Sequence, residues 1–596
     1  MRNIVLSAVF VLVLMTGLFV ILTSVLAAST ITVTTANDVI ADDGLCSLRE
    51  AVIAANSDTA SGSEPGECLA GNGEDTINFS PALPLPSNFV LTISGANEDN
   101  AQTGDLDIEG TVTINGAGLV NTILDGNNAD RVIQILAGAR VTLDGVAVRN
   151  GNPGTGADGG GIKVDGTGRL TLTNSSVNNN AAVNGGGAMV LGMLTLVDST
   201  IENNQGGGIR NDAGLLDFTN ALVLQNSGGF GVENMNGATI VYDGGTVDSN
   251  QGGGIYNYIS TARLSNLSIS NNTIGGGIQN EGATTSKLTL TNSSITNNSS
   301  TSGAGILNDG LGTSATIEDT RISYNTATAG GGGINNNGSL TLKGSTIDHN
   351  QARSGGGIDN TGSSLQLTND TISQNTVSDN GGGLYNRTSA SLKNLTINAN
   401  AASGENTGGN IFNDDDSAQI TFINTIVSNP GDGGNCFNDL GMVTSQGNNL
   451  ESTNTCGFIH AGDIINTDPL LGPLQNNGGP TDTHALQAGS QAIDNADDAS
   501  CPSIDQRGAE RPVDGDSNGS AICDIGSYEY QSAVPTVTPT ATATSTATAT
   551  PIITSTSTAT PTATATSTAT ATLTATPSLI PGGYNNFLPL IVRSSQ

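Results

Sequence analysis

A short stretch near the middle of the chain holds the densest group of side chains that could do acid–base chemistry: Asp348, His349, Arg353 and Asp359. A carboxylate and an imidazole can move protons, and an arginine can face the charge of an acidic sugar, so these residues are the candidates for catalysis on an acidic polysaccharide. The first two occupy variable positions just before a recurring asparagine, as exposed turn residues do. We therefore predict no catalytic site, and these four are the residues to test.

A second polar group has the start of a calcium-binding loop. Asp514, Asp516 and Asn518 alternate along the chain, with Gly519 to allow a turn and Asp524 further on. Carboxylate and amide oxygens at alternate positions can converge on one Ca²⁺. The position that holds a bidentate glutamate in an EF-hand is an isoleucine here, so the alternative is a polar turn. Calcium is the one cofactor that the sequence suggests, and none is required.

Six cysteines fall into three local couples: Cys46 with Cys68, Cys436 with Cys456, and Cys501 with Cys523. An even number of cysteines in an exported chain favours disulfides. A metal site is disfavoured because no C-x-x-C occurs and the three histidines are scattered. Sequential pairing is the prediction, although six cysteines allow 15 connectivities.

Composition excludes several classes of function. The 596 residues include 18 Lys plus Arg against 53 Asp plus Glu, for a net charge of −35. Phosphate backbones and anionic lipids repel such a polyanion, so nucleic-acid binding is not expected. The chain has 80 glycines, no tryptophan and no run that presents an aromatic platform for a sugar ring. Its core must therefore be built from small β-branched side chains, or much of it lacks structure.

A glycine-rich repeat favours the first alternative. The anchor Gly-Gly-Gly is followed by isoleucine or leucine at positions 162, 209, 255, 278, 334, 358 and 384. Two residues beyond the apolar position lies an asparagine, in nine consecutive repeats from Asn211 to Asn413. A second pattern of the same period pairs a β-branched residue with an asparagine three positions later, from Val177 and Asn180 to Ile426 and Asn429. Leu-Thr-Leu alternation between the two patterns predicts short strands.

Short strands that repeat every 21 to 28 residues, joined by turns too brief for helices, predict an all-β fold, the right-handed single-stranded parallel β-helix. Each repeat is one coil, so aliphatic side chains stack inside it and asparagines hydrogen-bond along its axis. We also expect the asparagines to take left-handed backbone at a corner. The coils are predicted for residues 105–430, between small disulfide-stapled caps at 29–104 and 431–530. Ser47 and Glu50 have capping-box spacing, which predicts a helix in the first cap.

The two ends indicate export. Residues 1–28 have the basic start and apolar run of a signal peptide, although an apolar run of this length could also stay as a membrane anchor. Residues 531–580 are a Thr/Ala/Pro-rich segment, predicted to be a disordered linker or stalk. Residues 581–596 form an apolar tail too short to cross a membrane. We expect an extracellular or cell-surface protein that touches membrane only through the signal segment or the tail.

Several motifs resemble those of a known group of bacterial surface proteins. Residues 46–51 look like the CSLREA motif of exported right-handed, pectin-lyase-like β-helix proteins. The C-terminal part is similar to the choice-of-anchor Q region, in stretches 468–472, 477–481, 490–494, 505–508 and 523–529. The coils resemble repeats of chlamydial polymorphic outer-membrane proteins. The tail resembles those of exported Chloroflexi-type proteins but lacks the LPxTG motif of a sortase signal. The resemblance implies a β-helix displayed at a bacterial surface.

These features predict a structural, adhesive or glycan-binding rod. Its partner is expected to be a polysaccharide or protein of the cell surface or the extracellular space. The alternative is an enzyme on the same scaffold, namely a pectate-lyase-like polysaccharide lyase, a hydrolase or an epimerase that acts on acidic polysaccharides.

Overall fold

The computed structural model describes residues 29–531, with the exception of 96, 97, 284 and 405. The predicted signal peptide, the apolar tail and all but the first residue of the predicted linker lie outside the described residues. Within the described range, no helix is both long and apolar enough to cross a membrane. Export and anchoring therefore stay predictions.

The described chain winds into a parallel β-helix of about 14 turns, so the predicted fold class is confirmed. One side is a fourteen-stranded parallel sheet to which each turn from Leu106 onward adds a strand. Its strands are Leu106–Ile108, Ile133–Ile135, Ile162–Val164, Ala188–Val190, Ile209–Asp212, Val232–Met235, Ile255–Tyr258, Ile278–Glu281, Ile306–Asp309, Ile334–Asn336, Ile358–Asn360, Leu384–Asn386, Ile411–Asn413 and Cys436–Asn438.

A 28-stranded parallel sheet combines two columns of strands. The first column contains Ser29–Val33, Glu74–Phe79, Thr111–Asn115, Arg140–Asp144, Arg169–Thr173, Met193–Val197, Leu215–Leu224, Thr239–Asp248, Thr261–Ser270, Lys287–Thr291, Ser314–Glu318, Ser339–Lys343, Ser364–Thr368, Ser389–Lys393, Gln419–Ile423 and Met442–Ser445. The second contains Ser87–Val90, Thr122–Asp125, Ala147–Arg149, Ser176–Asn178, Thr200–Glu202, Ser294–Thr296, Arg321–Ser323, Thr346–Asp348, Thr371–Ser373, Thr396–Asn398, Ile426–Ser428 and Leu450–Glu451. Three ten-residue strands, which begin at Leu215, Thr239 and Thr261, run through both columns.

A five-stranded sheet is added only in the later turns, at the corner before the fourteen-stranded sheet. Its two-residue strands are Ser299–Ser300, Thr326–Ala327, Gln351–Ala352, Thr376–Val377 and Ala401–Ala402. Small side chains from this corner form a buried column of their own: Ala304, Ala327, Ala352, Val377 and Ala402. The turns that follow these strands lead into the fourteen-stranded sheet.

The core is built by stacking like side chains in successive turns. Ile322, Ile347 and Ile372 lie in register and are fully buried. Burying one such side chain contributes about 1.5–3 kcal/mol. The glycine anchors let neighbouring turns approach, because a Cβ added at Gly333 would lie 2.6 Å from the carbonyl oxygen of Gly357. The repeat therefore encodes both the apolar interior and the close spacing of the coils.

Two buried ladders of asparagines run along the axis, as the repeats predict. Asn180 donates its side-chain amide to Asn204 Oδ1 at 3.0 Å and to the Val148 carbonyl at 3.2 Å, so its amide group is fully used. The first ladder is Asn180, Asn204, Asn226, Asn250, Asn272, Asn298, Asn325, Asn350, Asn375, Asn400, Asn410 and Asn435. The second is Asn211, Asn234, Asn257, Asn280, Asn308, Asn336, Asn360, Asn386, Asn413 and Asn438.

Two predictions about the ladders are wrong. Asn429 is exposed and lies outside the first ladder. The ladder passes from Asn400 to Asn410, because the intervening loop brings Asn410 next to Asn400. The left-handed residue is not the ladder asparagine but the one before it, as at His349, where φ is 55°. That residue makes the turn, and the following asparagine can then point into the core.

The N-terminal end is closed by the helix α1 (Leu48–Ser57), and the predicted capping box is present. Cys46 and Cys68 form a disulfide beside it, and the other two predicted pairs, Cys436 with Cys456 and Cys501 with Cys523, are also bonded. Parallel pairing begins at Ser29–Val33 against Glu74–Phe79, so the coils start inside the region predicted as a cap. The α1 face covers this first turn.

Residues 468–531, the C-terminal arm, do more than cover the last turn. The arm contains the antiparallel strands Leu471–Gln475 and Thr483–Leu486 and the 3₁₀ turn Asp498–Ser500. It packs along the second column of the 28-stranded sheet, where Gln506 donates to Thr346 Oγ1 at 2.9 Å and the Ser527 amide donates to Thr396 Oγ1 at 3.1 Å. The sequence predicted a cap for this region and did not predict this lateral packing.

Candidate functional site

The outward side of the fourteen-stranded sheet carries one continuous row of side chains, which we name the outer column. In each Ile-x-Asn strand the isoleucine and asparagine point inward, so the middle residue points outward. In register, the outer column reads Asp107, Gln134, Lys163, Met189, Arg210, Glu233, Tyr256, Gln279, Leu307, Asn335, Asp359, Tyr385, Phe412 and Phe437. The types of these residues decide what this face can bind.

A pocket of about 400 Å³ opens on the outer column at Asp359. Its floor is formed by Asp359 and Tyr385, and its walls include Arg353, Asp379 and Arg387. The turns that follow the five-stranded sheet overhang the column here. At Gly330, in one of these turns, an added Cβ would lie 2.0 Å from Asp359 Oδ2, so the glycine backbone rests directly on the carboxyl group.

Asp359 is held in an unusual state. It is 9 % exposed, and its Oδ1 has no hydrogen-bond partner among the described residues. Burial raises the pKa of Asp359 from 3.8 to about 6, and the charge of Arg387 opposes the rise. A carboxyl group with such a pKa can either donate or accept a hydrogen bond near neutral pH, and it is free to do so with a ligand.

The two arginines of the pocket are already paired with acids. Arg353 Nε lies 2.7 Å from Asp379 Oδ2, and Arg387 Nε lies 3.1 Å from Asp414 Oδ2. With Asp359, three carboxyl groups face two guanidinium groups, so the pocket offers no net positive charge to an anion. Its surface is instead a mixture of hydrogen-bond donors and acceptors, which suits an uncharged polyhydroxyl ligand.

Aromatic rings line up along the outer column at two places, an alignment that the sequence analysis did not predict. Tyr385 and Phe412 have ring centroids 5.5 Å apart, and Phe412 and Phe437 follow at 5.4 Å. Tyr385 and Phe412 are largely buried, and burial raises the pKa of Tyr385 to about 12, so its hydroxyl stays protonated. A second, more open set surrounds Tyr256. Most of this stacking was missed because the rings stand one turn apart in the sequence, although Tyr256 and Tyr258 share a strand.

The four predicted catalytic candidates are split between two sides of the coil. Arg353 and Asp359 lie in the pocket, whereas Asp348 and His349 belong to the second column of the 28-stranded sheet and the turn after it. Asp348 is fully buried and pairs with Arg321 at 2.8 Å, and Arg321 also reaches Asp482 of the C-terminal arm at 2.8 Å. Asp348 therefore helps to hold the arm, and the four residues form no single site.

His349 and His484 of the C-terminal arm are both held by contacts with neighbouring protein groups. His349 Nδ1 lies 2.7 Å from Asp348 Oδ2, and its ring stacks on Tyr324 at 4.7 Å. His484 is buried between the Gly472 carbonyl at 2.7 Å and Ser373 Oγ at 2.9 Å. Burial lowers the pKa of His484, so it is neutral at pH 7. Neither imidazole opens into the pocket at Asp359.

Two of the residues predicted to bind calcium lie close together. Carboxylate oxygens of Asp514 and Asp516 lie within 4.8 Å of each other and of Asp494, which the sequence did not single out because it lies far away along the chain. Asn518 turns back on Asp516, to which it donates at 2.9 Å. Asp524 stands apart, since burial raises its pKa to about 8 and it accepts from the Asp494 amide. Calcium binding by Asp514, Asp516, Asn518 and Asp524 stays a prediction.

Comparison with protein-family models and with curated proteins finds no match. Among solved structures, the crystal structure of pectate lyase Pel9A is similar over 67 % of this chain and 89 % of that chain, with 12 % identity and a TM-score of 0.26. This similarity is too low to support an argument about activity. The fold assignment follows from the parallel pairing of the chain's own strands.

Proposed function

We propose that this chain is an exported glycan-binding protein of the bacterial surface and that the pocket at Asp359 binds one sugar residue of an extracellular polysaccharide. The observation that carries the proposal is the carboxyl group of Asp359, which is nine-tenths buried, has no partner at Oδ1 and lines a polar pocket of about 400 Å³. A ligand hydroxyl would hydrogen-bond the oxygen of this carboxyl group that faces the pocket.

The chemistry of the walls favours a neutral sugar. Asp359 and Asp379 accept hydrogen bonds, and Arg353 and Arg387 donate them, so each hydroxyl of a pyranose ring can find a partner. Both arginines are paired with carboxylates. The carboxylates of the pocket would therefore repel an acidic sugar, and neither guanidinium group is left to compensate the charge of the sugar. The ligand is therefore a neutral polysaccharide, and the strongly acidic surface keeps phosphate polymers away.

Display outside the cell is supported by three disulfides, by the apolar segment at residues 1–28 and by the motifs that resemble surface β-helix proteins. The Thr/Ala/Pro-rich segment after residue 531 would serve as the stalk. Fractionation of the native organism, with detection by antibody, tests this part: recovery in the cytoplasm with reduced cysteines would contradict it.

The binding test compares the intact protein with Asp359→Asn on a panel of neutral and acidic polysaccharides. Mixed-linkage β-glucan, galactomannan and xylan represent the neutral class, and polygalacturonate and alginate the acidic class. We expect retention by at least one neutral polymer and a loss of about tenfold or more in Asp359→Asn, since one charge-assisted hydrogen bond is removed. Asp217→Asn is the matched control, because Asp217 is exposed on the other sheet. Equal binding by Asp359→Asn and wild type would refute the assignment of this pocket.

A second candidate function is catalysis, and one observation favours it. The pKa of Asp359, at about 6, lies where a general acid or base works near neutral pH. Reducing-sugar and unsaturated-uronide assays on the same panel, with and without calcium, separate the two. Turnover that Asp359→Asn abolishes would make the protein a polysaccharide lyase, hydrolase or epimerase; binding without turnover supports the glycan-binding function.

A further inference from the structure

A second group of rings and charged side chains lies on the outer column, well before the Asp359 pocket. We name it the Tyr256 cluster and define it as Arg210, Phe230, Glu233, Tyr256, Tyr258 and Glu281. The Phe230 and Tyr256 rings stack with centroids 5.1 Å apart and planes within 19°, and the Tyr256 and Tyr258 rings lie 5.8 Å apart. All three rings are only half-buried.

Polar groups surround these rings on adjacent strands. The Tyr256 hydroxyl donates to Glu281 Oε2 at 3.1 Å, and Glu233 Oε2 lies 3.4 Å from Arg210 Nη1. Burial raises the pKa of both glutamates, as it does for Asp359. The cluster therefore repeats the composition of the pocket, with tyrosine, arginine and carboxyl groups on one face. Half-exposed rings flanked by such groups can stack on the apolar face of a sugar and bond its hydroxyls.

The two places belong to the same column of in-register residues. Tyr256 and Tyr385 are both outer-column residues, separated by five parallel strand spacings. At about 4.8 Å per spacing, the distance along the axis is about 24 Å. Between Tyr256 and Asp359 the outer column contains Gln279, Leu307 and Asn335. None of these three side chains is charged. Asn335 Oδ1 is buried and has no partner in the described chain.

We propose that the Tyr256 cluster is a second saccharide-binding subsite and that the ligand is a linear neutral polysaccharide lying along the solenoid axis, from the Tyr256 cluster to the Asp359 pocket. This inference rests on the proposed function. One chain that occupies both subsites binds the second at high effective concentration, so affinity increases steeply once the ligand is long enough to reach both. A ligand shorter than about 24 Å occupies only one subsite.

The experiment measures affinity against chain length for β-glucan, galactomannan and xylan and for their di- and trisaccharides, by isothermal titration. For the polymer that binds, we expect Tyr256→Ala to lose about tenfold to hundredfold in affinity for the polymer and little for the short fragments. Tyr256→Phe retains the ring and should stay within about threefold of wild type. Tyr324→Ala is the matched control, because Tyr324 is an exposed tyrosine in a turn on another side of the coil.

The outcomes distinguish the two proposals. If Tyr256→Ala binds polymer as tightly as wild type while Asp359→Asn does not, the second subsite is refuted and the proposed function stands. If wild type binds no polymer, both fail. Should Tyr256→Ala not fold, the wild-type protein decides alone: fragments longer than about 24 Å must bind at least tenfold more tightly than disaccharides, and equal affinity would overturn the inference.

Discussion

The outer column is open around Tyr256 and walled around Asp359, although the interior of the two regions is the same. Both have the asparagine ladders and the stacked isoleucines. The difference lies at one corner, where the five-stranded sheet starts at Ser299 and its following turns overhang the column. The comparison teaches that in this fold the ladders set stability, whereas the turns between strands decide whether an outward side chain is exposed or enclosed.

The largest expected effect tests whether the interiors are equivalent. Asn257→Ala in the open region and Asn336→Ala in the walled region each remove one ladder amide. The next asparagine then loses the donor to its Oδ1, and the preceding asparagine loses one of its acceptors. We expect each to lower the free energy of unfolding by about 4 kcal/mol, measured by chemical denaturation. If the losses in free energy of unfolding differed by more than about 2 kcal/mol between the two variants, the two interiors would not be equivalent.

The next effect concerns the enclosed carboxyl group. The folded state binds the Asp359 proton more tightly than the unfolded state, because the pKa rises from 3.8 to about 6 on folding. The contribution of Asp359 to stability is therefore greatest below about pH 4, falls as the pH rises through about 6, and is then lower by about 3 kcal/mol. Asp359→Asn should remove this decrease and stabilise the protein at pH 7.

Glu233→Gln is the matched variant for the open region. Arg210 lies 3.4 Å from the Glu233 carboxyl group and compensates its charge. The substitution should therefore change the free energy of unfolding at pH 7 by less than about 1 kcal/mol. Thermal denaturation from pH 4 to pH 8 checks both variants. A flat profile for wild type against Asp359→Asn would show that Asp359 is not enclosed in solution.

The smallest effect tests the wall itself. Gly330→Ala places a Cβ 2.0 Å from Asp359 Oδ2, so either the carboxyl group or the turn must shift, with a cost of about 1–3 kcal/mol and weaker binding at the pocket. Gly166→Ala is the control, because no atom lies within 4 Å of its added Cβ. Denaturation and polysaccharide affinity are measured for both. Equal behaviour would mean that the turn does not press on Asp359.

Much of the coil could be predicted because each turn repeats the last. The Ile-x-Asn pattern identifies the residues that point inward. The residue between them belongs to the outer column, so members such as Tyr256 and Asp359 can be identified from the sequence. The disulfides and the α1 capping box also follow from local spacing. Local patterns of this kind are enough when each contact lies within one turn or between identical positions of adjacent turns.

The features that could not be predicted depend on contacts that do not repeat from turn to turn. The overhang of Gly330 on Asp359 depends on the path of a turn. Asp348 and Asp359 are close in sequence, but a corner of the coil puts them on different sheets. Asp494 joins Asp514 and Asp516, and Arg321 joins Asp482, through the path of the C-terminal arm. Nothing in the repeat marks those partners.

The lateral course of the arm determines how the rod would carry tension. A solenoid without lateral contacts peels turn by turn when its terminal strand is pulled. Here a pull on Gln531 is transmitted through Ser527 to Thr371 and Thr396, in turns that precede the last one. The bonds of Ser527, and those of Gln506 to Thr346, would be sheared together before the final coil is loaded, so the arm makes the end of the coil resist unravelling under such a pull.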